Sequence, residues 1–234
     1  MTHLIGKKMT GGYDGVDILK SCTIEVSGGE IVVIVGPNGA GKSTAMKAML
    51  GMLHLRGGFV EYNGEDITAL TPQDRIRCGI SFVPQVDNVF PEMSVAENLE
   101  MGAFIRDDDY TDTLTQIYDL FPILKKKRNQ LAGELSGGQR QQVAVARAMM
   151  TDPKVLMLDE PTAGVSPIVM DELFERIIEV RNMGIAILMV EQNAKQALAI
   201  ADRGYVLLMG ENWRTDSGKK LLANAEVRKS FLGG

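Results

Sequence analysis

The sequence predicts an α/β fold with a mainly parallel sheet covered by helices. Three short apolar runs have the length and composition of buried strands: IVVIV at 31–35, VLML at 155–158 and IAILMV at 185–190. Longer segments with the apolar spacing of helices separate these runs. Strands that alternate with helices are typical of parallel sheets, because the crossover between two parallel strands is usually a helix.

The first strand is followed by a glycine-rich turn and then by TAMKAMLGML, which has helical spacing. The turn GPNGAGKST at 36–44 fits G-x-x-x-x-G-K-[ST], a phosphate loop. Its backbone amides can wrap a phosphate chain, Lys42 can reach the outer phosphates and Ser43 can ligate magnesium. The residues predicted to bind the nucleotide here are Gly36, Pro37, Asn38, Gly39, Ala40, Gly41, Lys42, Ser43 and Thr44.

The middle of the chain predicts an inserted helical subdomain. Thr71-Pro72 and Ser94 each have the pattern of a helix start, and between them ISFVPQ at 80–85 is a short strand broken by Pro84. From 86 to about 150 the helical period takes over. We therefore expect a single domain over 1–234, with a nucleotide-binding core at 1–85 and 155–234 and a helical subdomain at 86–154.

A second glycine turn lies inside this helical insertion. The segment ELSGGQRQQVAVARAMM at 134–150 opens a helix directly after Ser-Gly-Gly, so its first amides can hold a phosphate. The candidate residues are Ser136, Gly137, Gly138 and Gln139.

The later strands carry the acidic and amide candidates. VLMLDE at 155–160 ends in Asp159, which suits a magnesium shell, and Glu160, which can activate water. The next strand ends in VEQN, where Gln192 follows Glu191. The sheet is expected to end with YVLLM at 205–209, followed by a polar turn and a helix.

Composition excludes several classes of protein. The 234 residues are 45% hydrophobic and carry a formal charge of −5, so a real core is expected and nucleic acid is not an expected partner. The apolar runs are far shorter than the roughly 20 residues of a membrane span. The two cysteines lack metal-type spacing, and the N-terminus has no secretory pattern, so a soluble cytosolic protein is expected.

The order of these motifs resembles one known family. LSGGQ between a phosphate loop and VLMLDEP is similar to the ATP-binding cassette (ABC) family, and the resemblance covers nearly the whole chain. It implies a phosphate-loop cassette that binds ATP and Mg²⁺ and has an additional antiparallel β subdomain. It also implies that Gln85 lies near magnesium and the attacking water, and that Tyr13 stacks on adenine.

Four polar features each follow the carboxyl end of a predicted strand, so they are expected at one sheet edge. They are the phosphate loop, Gln85, the pair Asp159–Glu160, and Gln192. The catalytic candidates are Lys42, Gln85, Glu160 and Gln192, and the metal candidates are Ser43, Gln85 and Asp159. The segment 135–139 is outside this edge, and the family resemblance implies that it closes over the nucleotide of a partner cassette in a head-to-tail dimer.

Gln192 stands where most members of that family carry histidine. An amide can donate to a γ-phosphate oxygen and hold a water, but it cannot accept a proton and become charged. With Glu160 available as the base, we expect Gln192 to have a positioning role.

Three segments narrow the resemblance to a subgroup: FPEMSVAENLEMGAF at 90–104, VEQNAKQALAIADRGYVLLMG at 190–210 and the ending EVRKSFLGG. They are similar to LivF-type ATPases of branched-chain amino acid uptake. This implies an importer with a second, LivG-like cassette, two transmembrane permeases and an extracytoplasmic binding protein. The chain would then be a peripheral protein at the cytoplasmic face of the inner or plasma membrane, soluble when isolated.

Several alternatives remain open at this point. The cargo could be urea, a short amide or, in an exporter, lipopolysaccharide. From other classes, the chain could be a soluble non-transport ABC ATPase or a module that uses ATP only to dimerise.

An apolar patch of Pro91, Met93 and Val95 beside Gln85 is expected to receive a permease helix.

Overall fold

The computed structural model describes residues 2–231 and has two sheets surrounded by helices. Its strands are β1 (His3–Gly11), β2 (Leu19–Ser27), β3 (Ile31–Val35), β4 (Gly57–Tyr62), β5 (Glu65–Asp66), β6 (Ile80–Val83), β7 (Val155–Asp159), β8 (Ala186–Val190), β9 (Arg203–Leu208) and β10 (Glu211–Asp216). Its helices are α1 (Lys42–Leu50), α2 (Pro72–Arg77), α3 (Val95–Gly102), α4 (Thr111–Leu120), α5 (Pro122–Lys126), α6 (Gly137–Met149), α7 (Pro167–Asn182), α8 (Ala194–Ile200), α9 (Gly218–Ala223) and α10 (Ala225–Phe231).

The larger sheet has six strands in the order β10-β9-β3-β8-β7-β6. All neighbouring pairs from β9 to β6 are parallel, and only β10 runs antiparallel to its neighbour β9. The predicted α/β class with a mainly parallel sheet is therefore confirmed. Because β3, β8, β7 and β6 are consecutive neighbours, their carboxyl ends lie side by side at one edge.

The smaller sheet is antiparallel, in the order β2-β1-β4-β5. The antiparallel β subdomain implied by the family resemblance is thus present. The periodicity of the sequence did not reveal β1, whose pairing with β2 shifts register between Gly6 and Met9 and again between Met9 and Gly11. These irregularities break the simple alternation of buried and exposed residues that identifies a strand in sequence.

The parallel sheet separates two apolar cores. Val33 and Leu156 point to the core formed with α6 and α7, whereas Val32 and Met157 point to the core formed with α1 and the antiparallel sheet. Strands β3, β7 and β8 are buried along their whole length. Burial on both faces explains why they appear in the sequence as continuous apolar runs.

Helices α3 to α6 occupy the stretch that was predicted to be helical, and their starts are those that the sequence indicates. The Ser94 side chain accepts from the Glu97 N–H while the Glu97 carboxylate accepts from the Ser94 N–H, which completes a capping box for α3. Thr71 caps α2 in the same position. The division of the chain at 86 and 154 remains a prediction.

Two expectations need correction. Residues 210–231 form a strand, β10, and two short helices, where a polar turn and one helix were expected; the end of the predicted closing FLGG lies outside the described residues. The Asn212 side chain in β10 exchanges two hydrogen bonds with the backbone of Thr23 in β2, so this strand joins the two sheets. Val95 is fully buried in the core beside α6, so it does not belong to a surface patch, whereas Pro91 is exposed and Met93 is half-buried. Val86, directly after Gln85, and Phe90 are further exposed apolar side chains in this stretch.

The carboxyl end of α1 is held by a buried arginine that the sequence did not single out. The guanidinium of Arg75, which is 1% exposed, donates to the carbonyls of Ala48 and Met49 at 3.1 and 2.7 Å. These carbonyls belong to the last turn of α1, where the helix leaves acceptors without partners and a positive charge is favourable. Arg75 therefore fixes the end of α1 opposite the phosphate loop.

Candidate nucleotide site

The phosphate loop between β3 and α1 depends on glycine for its shape. Gly36, Gly39 and Gly41 have φ values of +151°, +79° and +95°, a region that favours glycine. At Gly36 a Cβ atom would lie 2.3 Å from the carbonyl oxygen of Leu207. The loop can therefore follow this path only with glycine at these positions.

The loop presents the first amides of α1 to a cavity of about 300 Å³. Gly41 is the N-cap residue and no side chain caps the helix, so its first N–H groups remain available to an anion. The cavity is lined by Asn38, Gly39, Gly41, Lys42, Ser43, Thr44 and Glu160. The predicted loop and the predicted base thus share one cavity.

Lys42 is 6% exposed, and its ammonium donates to the carbonyls of Gly36 and Pro37 at 2.9 and 3.1 Å. Burial lowers the pKa of Lys42, while the carboxylates of Glu160 and Asp159 act in the opposite direction. The side chain is consequently held above the loop with its charged end in the cavity region.

The acidic pair at the end of β7 faces the start of α1. The Ser43 hydroxyl donates to the Asp159 carboxylate at 3.1 Å. Asp159 is 8% exposed, and desolvation raises its pKa against the lowering effect of the Ser43 hydrogen bond; the neighbouring Glu160 raises it further. A cation at this position would offset the cost of keeping Asp159 ionised.

Glu160 lies between the two predicted glutamines. The side-chain amides of Gln85 and Gln192 both donate to its Oε2 atom, each at 2.8 Å. The order of the strands explains this arrangement, because β7 lies between β6, which leads to Gln85, and β8, which leads to Gln192. Glu160 is 6% exposed and has a φ of +49°, an uncommon value for a residue with a side chain.

Tyr13 lies in the bend after β1 and is 42% exposed. A second cavity, of about 310 Å³, adjoins the phosphate loop and is lined by Asp17, Ile18, Lys20, Gly39, Gly41, Thr44 and Met209. Tyr13 does not line this cavity, although Asp17 and Ile18 follow it closely in the chain. The stacking of Tyr13 on adenine therefore remains a prediction.

The Ser136–Gln139 segment forms the first turn of α6, away from the cavity of the phosphate loop. The Ser136 side chain accepts from the Gln139 N–H, and the Gln139 side chain accepts from the Ser136 N–H, both at 3.3 Å. Gly137 instead borders another cavity, of about 260 Å³, together with Gln85 and Gly164. None of the residues 136–139 lines the cavity of the phosphate loop, but Gly137 shares a cavity with Gln85, so the placement of this segment outside the edge remains a prediction.

Sequence reasoning missed two buried polar contacts near this edge. Asn88 donates to the Gln141 side chain at 2.7 Å and thereby joins the Gln85 loop to α6. Glu191 accepts from both the backbone and the hydroxyl of Thr162. The signal for the second contact is a glutamate directly after an apolar strand, in VEQN, adjacent to Gln192.

None of the helices within residues 2–231 is long and apolar enough to cross a membrane.

Together, the fold and the site define a phosphate-loop, nucleotide-binding α/β protein. The sequence model of the ABC transporter family matches residues 19–163, and the chain belongs to that family. Members of the family are ATP-hydrolysing subunits of transporters, which bind nucleotide as paired cassettes and act with membrane permeases.

Similar sequences span almost the whole chain. BraG of Pseudomonas aeruginosa, a high-affinity branched-chain amino acid transport ATP-binding protein, is 42% identical over 97% of this chain and 98% of its own. LivF of Archaeoglobus fulgidus, likewise named for branched-chain amino acid transport, is 39% identical over 97% of both. The lipopolysaccharide export ATP-binding protein LptB of Escherichia coli is 33% identical over 100% of this chain and 98% of its own.

Solved structures give the same result. The ADP conformation of an ATP-binding cassette from an ABC transporter superposes with a TM-score of 0.90 at 28% identity. A nucleotide-free cassette from an ABC transporter superposes with a TM-score of 0.88 at 29% identity. Both alignments cover 100% of the two chains, so the likeness of fold extends over the whole length compared.

Proposed function

We propose that the chain is the ATP-hydrolysing subunit of an importer for branched-chain amino acids. BraG and LivF, with identities of 42% and 39% over nearly the full length, support this substrate class. The similarity to LptB is lower, at 33%, and supports a lipopolysaccharide exporter less well. Urea or a short amide remains an alternative cargo, because the cassette does not itself touch the transported molecule.

The observation that carries the proposed chemistry is Glu160, held between Gln85 and Gln192 beside the phosphate loop. In this proposal Glu160 is the general base that takes a proton from the attacking water. Lys42 and the loop amides bind the phosphates, and Gln85 and Gln192 orient the water and the γ-phosphate. Tyr13 stacks on adenine, and the first turn of α6 from a partner cassette completes the site.

The residues present also fit a magnesium ion. Mg²⁺ is usually bound by one or two carboxylates, hydroxyls and substrate phosphates, and the Ser43 hydroxyl and the Asp159 carboxylate are such ligands, 3.1 Å apart. No group of three or more His, Cys, Asp or Glu residues suited to a metal occurs among residues 2–231, which fits an ion held mainly by the nucleotide. Ser43, Gln85 and Asp159 would hold the ion, which neutralises charge on the phosphates when bound.

The proposed assembly contains a second cassette, identical or LivG-like, and two transmembrane permeases. An extracytoplasmic binding protein would deliver the amino acid to the permeases. The chain would then be a peripheral subunit at the cytoplasmic face of the membrane. The exposed side chains of Val86, directly after Gln85, and of Phe90, five residues after it, support a permease contact in this stretch.

The role of Glu160 is tested by Glu160→Gln in the assembled transporter. The amide keeps the shape of the side chain and removes the base, so we expect ATP binding to persist while turnover falls by about 100-fold or more. Gln192→Ala should lower turnover more than ATP affinity, and Gln192→His should be tolerated. Near-normal turnover of the Glu160→Gln transporter would rule out the assignment of the base.

The cargo is tested by deleting the gene in its host and restoring it on a plasmid. We expect the deletion to abolish high-affinity uptake of labelled leucine, isoleucine and valine, and the wild-type gene to restore it, whereas the Glu160→Gln gene should not. Loss of urea uptake alone, or a defect in the outer membrane with normal amino acid uptake, would favour one of the alternative cargoes.

A further inference from the structure

Glu191 is a buried carboxylate to which the proposed reaction gives no role. It follows β8 and precedes Gln192, and it is 2% exposed. Burying an ionisable group is costly unless hydrogen bonds compensate, so its partners indicate what it does in the fold.

The Glu191 carboxylate is held by the turn that follows Glu160. Its Oε1 atom accepts from the Thr162 N–H at 3.0 Å and from the Thr162 hydroxyl at 2.8 Å. The Asn193 N–H also acts on this carboxylate and lowers its pKa. Thr162 is two residues after Glu160, and Asn193 is the residue after Gln192. One carboxylate therefore ties together the turn that carries Glu160 and the turn that carries Gln192.

The backbone around this carboxylate extends the connection. The Glu191 N–H donates to the Ile34 carbonyl in β3, two residues before the phosphate loop, at 3.3 Å. The Glu160 N–H donates to the Val190 carbonyl at 2.9 Å. Glu191 thus lies at the point where the ends of β3, β7 and β8 meet.

The conformation of Glu160 needs such support. Its φ of +49° is unfavourable for a residue with a Cβ atom. A strained backbone of this kind persists only where surrounding contacts hold it in place. The turn is closed on one side by the Ala163 N–H, which donates to the Glu160 carbonyl at 3.0 Å. Thr162, inside this turn, is 4% exposed and is anchored by Glu191.

We infer that Glu191, which directly precedes Gln192, is a positioning residue that clamps the Glu160 turn to the Gln192 turn through its hydrogen bonds to Thr162. The inference rests on the proposed role of Glu160 as the base. It explains why a carboxylate is buried directly beside the functional amide, where an apolar residue would pack at lower cost. Loosening the clamp should misplace Glu160 and Gln192 relative to the phosphates while leaving the phosphate loop intact.

Glu191→Gln tests the clamp with little change in shape. The amide oxygen can still accept from Thr162, but a neutral amide is a weaker acceptor than a carboxylate, so both hydrogen bonds to Thr162 are weakened. We expect kcat for ATP to fall by about 10- to 100-fold, while the dissociation constant for ATP changes by less than about threefold, because the defect is in the alignment of the base.

Thr162→Val gives a second route to the same result. It removes the hydroxyl donor and keeps the size of the side chain, so kcat should again fall with little change in ATP affinity. Thr162→Ser restores the hydroxyl and should recover most of the activity. In the double variant of Glu191→Gln with Thr162→Val, the two losses should not multiply, because both act on one connection.

Glu30→Gln is the matched control. Glu30 precedes β3 at its opposite end, and its carboxylate also accepts from a backbone N–H, that of Ser27 at 3.0 Å. This variant should lower thermal stability without a selective fall in kcat.

Wild-type kcat in folded Glu191→Gln and Thr162→Val, with Glu160→Gln still inactive, would overturn the clamp and leave the proposed base in place. A fall in kcat matched by an equal loss of ATP affinity would also overturn the clamp. Active Glu160→Gln would instead overturn the proposed function.

Discussion

Helices α1 and α6 both begin at a glycine-rich turn, and they differ in whether side chains accept hydrogen bonds from the first backbone N–H groups. The phosphate loop enters α1 through Gly41, which has a positive φ and provides no side-chain cap. The Ser136 turn enters α6 through a complete capping box. The first turn therefore leaves its N–H groups to an external anion, whereas in the second turn the N–H groups of Ser136 and Gln139 already have side-chain acceptors.

This difference bears on how a cassette dimer could close. An anion at α1 meets free amides and the buried ammonium of Lys42. An anion at α6 has to compete with the Ser136 hydroxyl for the Gln139 N–H and with the Gln139 side chain for the Ser136 N–H. We expect the phosphate loop to set nucleotide affinity and the Ser136 turn to set turnover in the dimer.

The largest expected effect comes from removing the positive charge of Lys42 at the phosphate loop. Lys42→Ala should lower kcat/KM for ATP by about 100-fold or more, because the phosphates lose their principal cation. The measurement is phosphate release together with nucleotide binding by calorimetry. Lys154→Ala removes an exposed ammonium that pairs with Asp152 and serves as the control. Normal ATP affinity in Lys42→Ala would contradict the assignment of affinity to this loop.

The next largest effect is expected from a negative charge placed at the Ser136 turn, at the start of α6. Ser136→Asp keeps a good N-cap, so unfolding free energy should stay within about 0.5 kcal/mol of wild type. The added carboxylate would face a partner's phosphates, so turnover in the assembled transporter should fall at least about 10-fold. ATP binding by the phosphate loop of the same chain should be unchanged. If Ser136→Asp turned over normally, the segment would be only a helix cap.

A smaller effect is expected from the packing that fixes the second turn. A Cβ atom on Gly138 would lie 2.0 Å from Val169 Cγ1 in α7, so Gly138→Ala should cost about 1–3 kcal/mol of stability. Adding Val169→Ala should recover most of this loss. Gly137→Ala is the matched control, since a Cβ atom there has no neighbour within 4 Å. Equal stability of Gly138→Ala and wild type in urea unfolding would refute the close approach of α6 and α7.

The smallest effect concerns pH and the buried Glu191. Burial raises its pKa above the ordinary glutamate value, so in the interval between the two values the folded chain binds more protons than the unfolded chain. The free energy of unfolding of the wild type therefore falls as the pH rises through that interval. Glu191→Gln lacks this pH-dependent contribution. We expect the difference in melting temperature, Glu191→Gln minus wild type, to increase as the pH rises across the interval. A difference that does not change with pH would contradict the raised pKa.

The sequence predicted the fold class and most of the site because both depend on local patterns. Strands buried on both faces appear in the sequence as unbroken apolar runs. A phosphate loop needs glycine at fixed positions because its backbone adopts positive φ values there. The antiparallel strands were not found by periodicity, since β1 contains register shifts and β5 is only two residues long. Val95 was placed wrongly at the surface because one apolar residue at a helix start fits either a patch or a core.

By itself, the sequence determined which side chains follow each strand, because the order of residues and the length of each apolar run are local properties. Only the tertiary structure decided which strands are neighbours. The order β3-β8-β7-β6 puts Glu160 between Gln85 and Gln192, although these residues are 75 and 32 positions away from it in the chain. It also brings Thr162 to Glu191, a contact that depends on β7 and β8 pairing side by side. Pairing of distant strands is set by the packing of the whole core, so no local pattern could have revealed it.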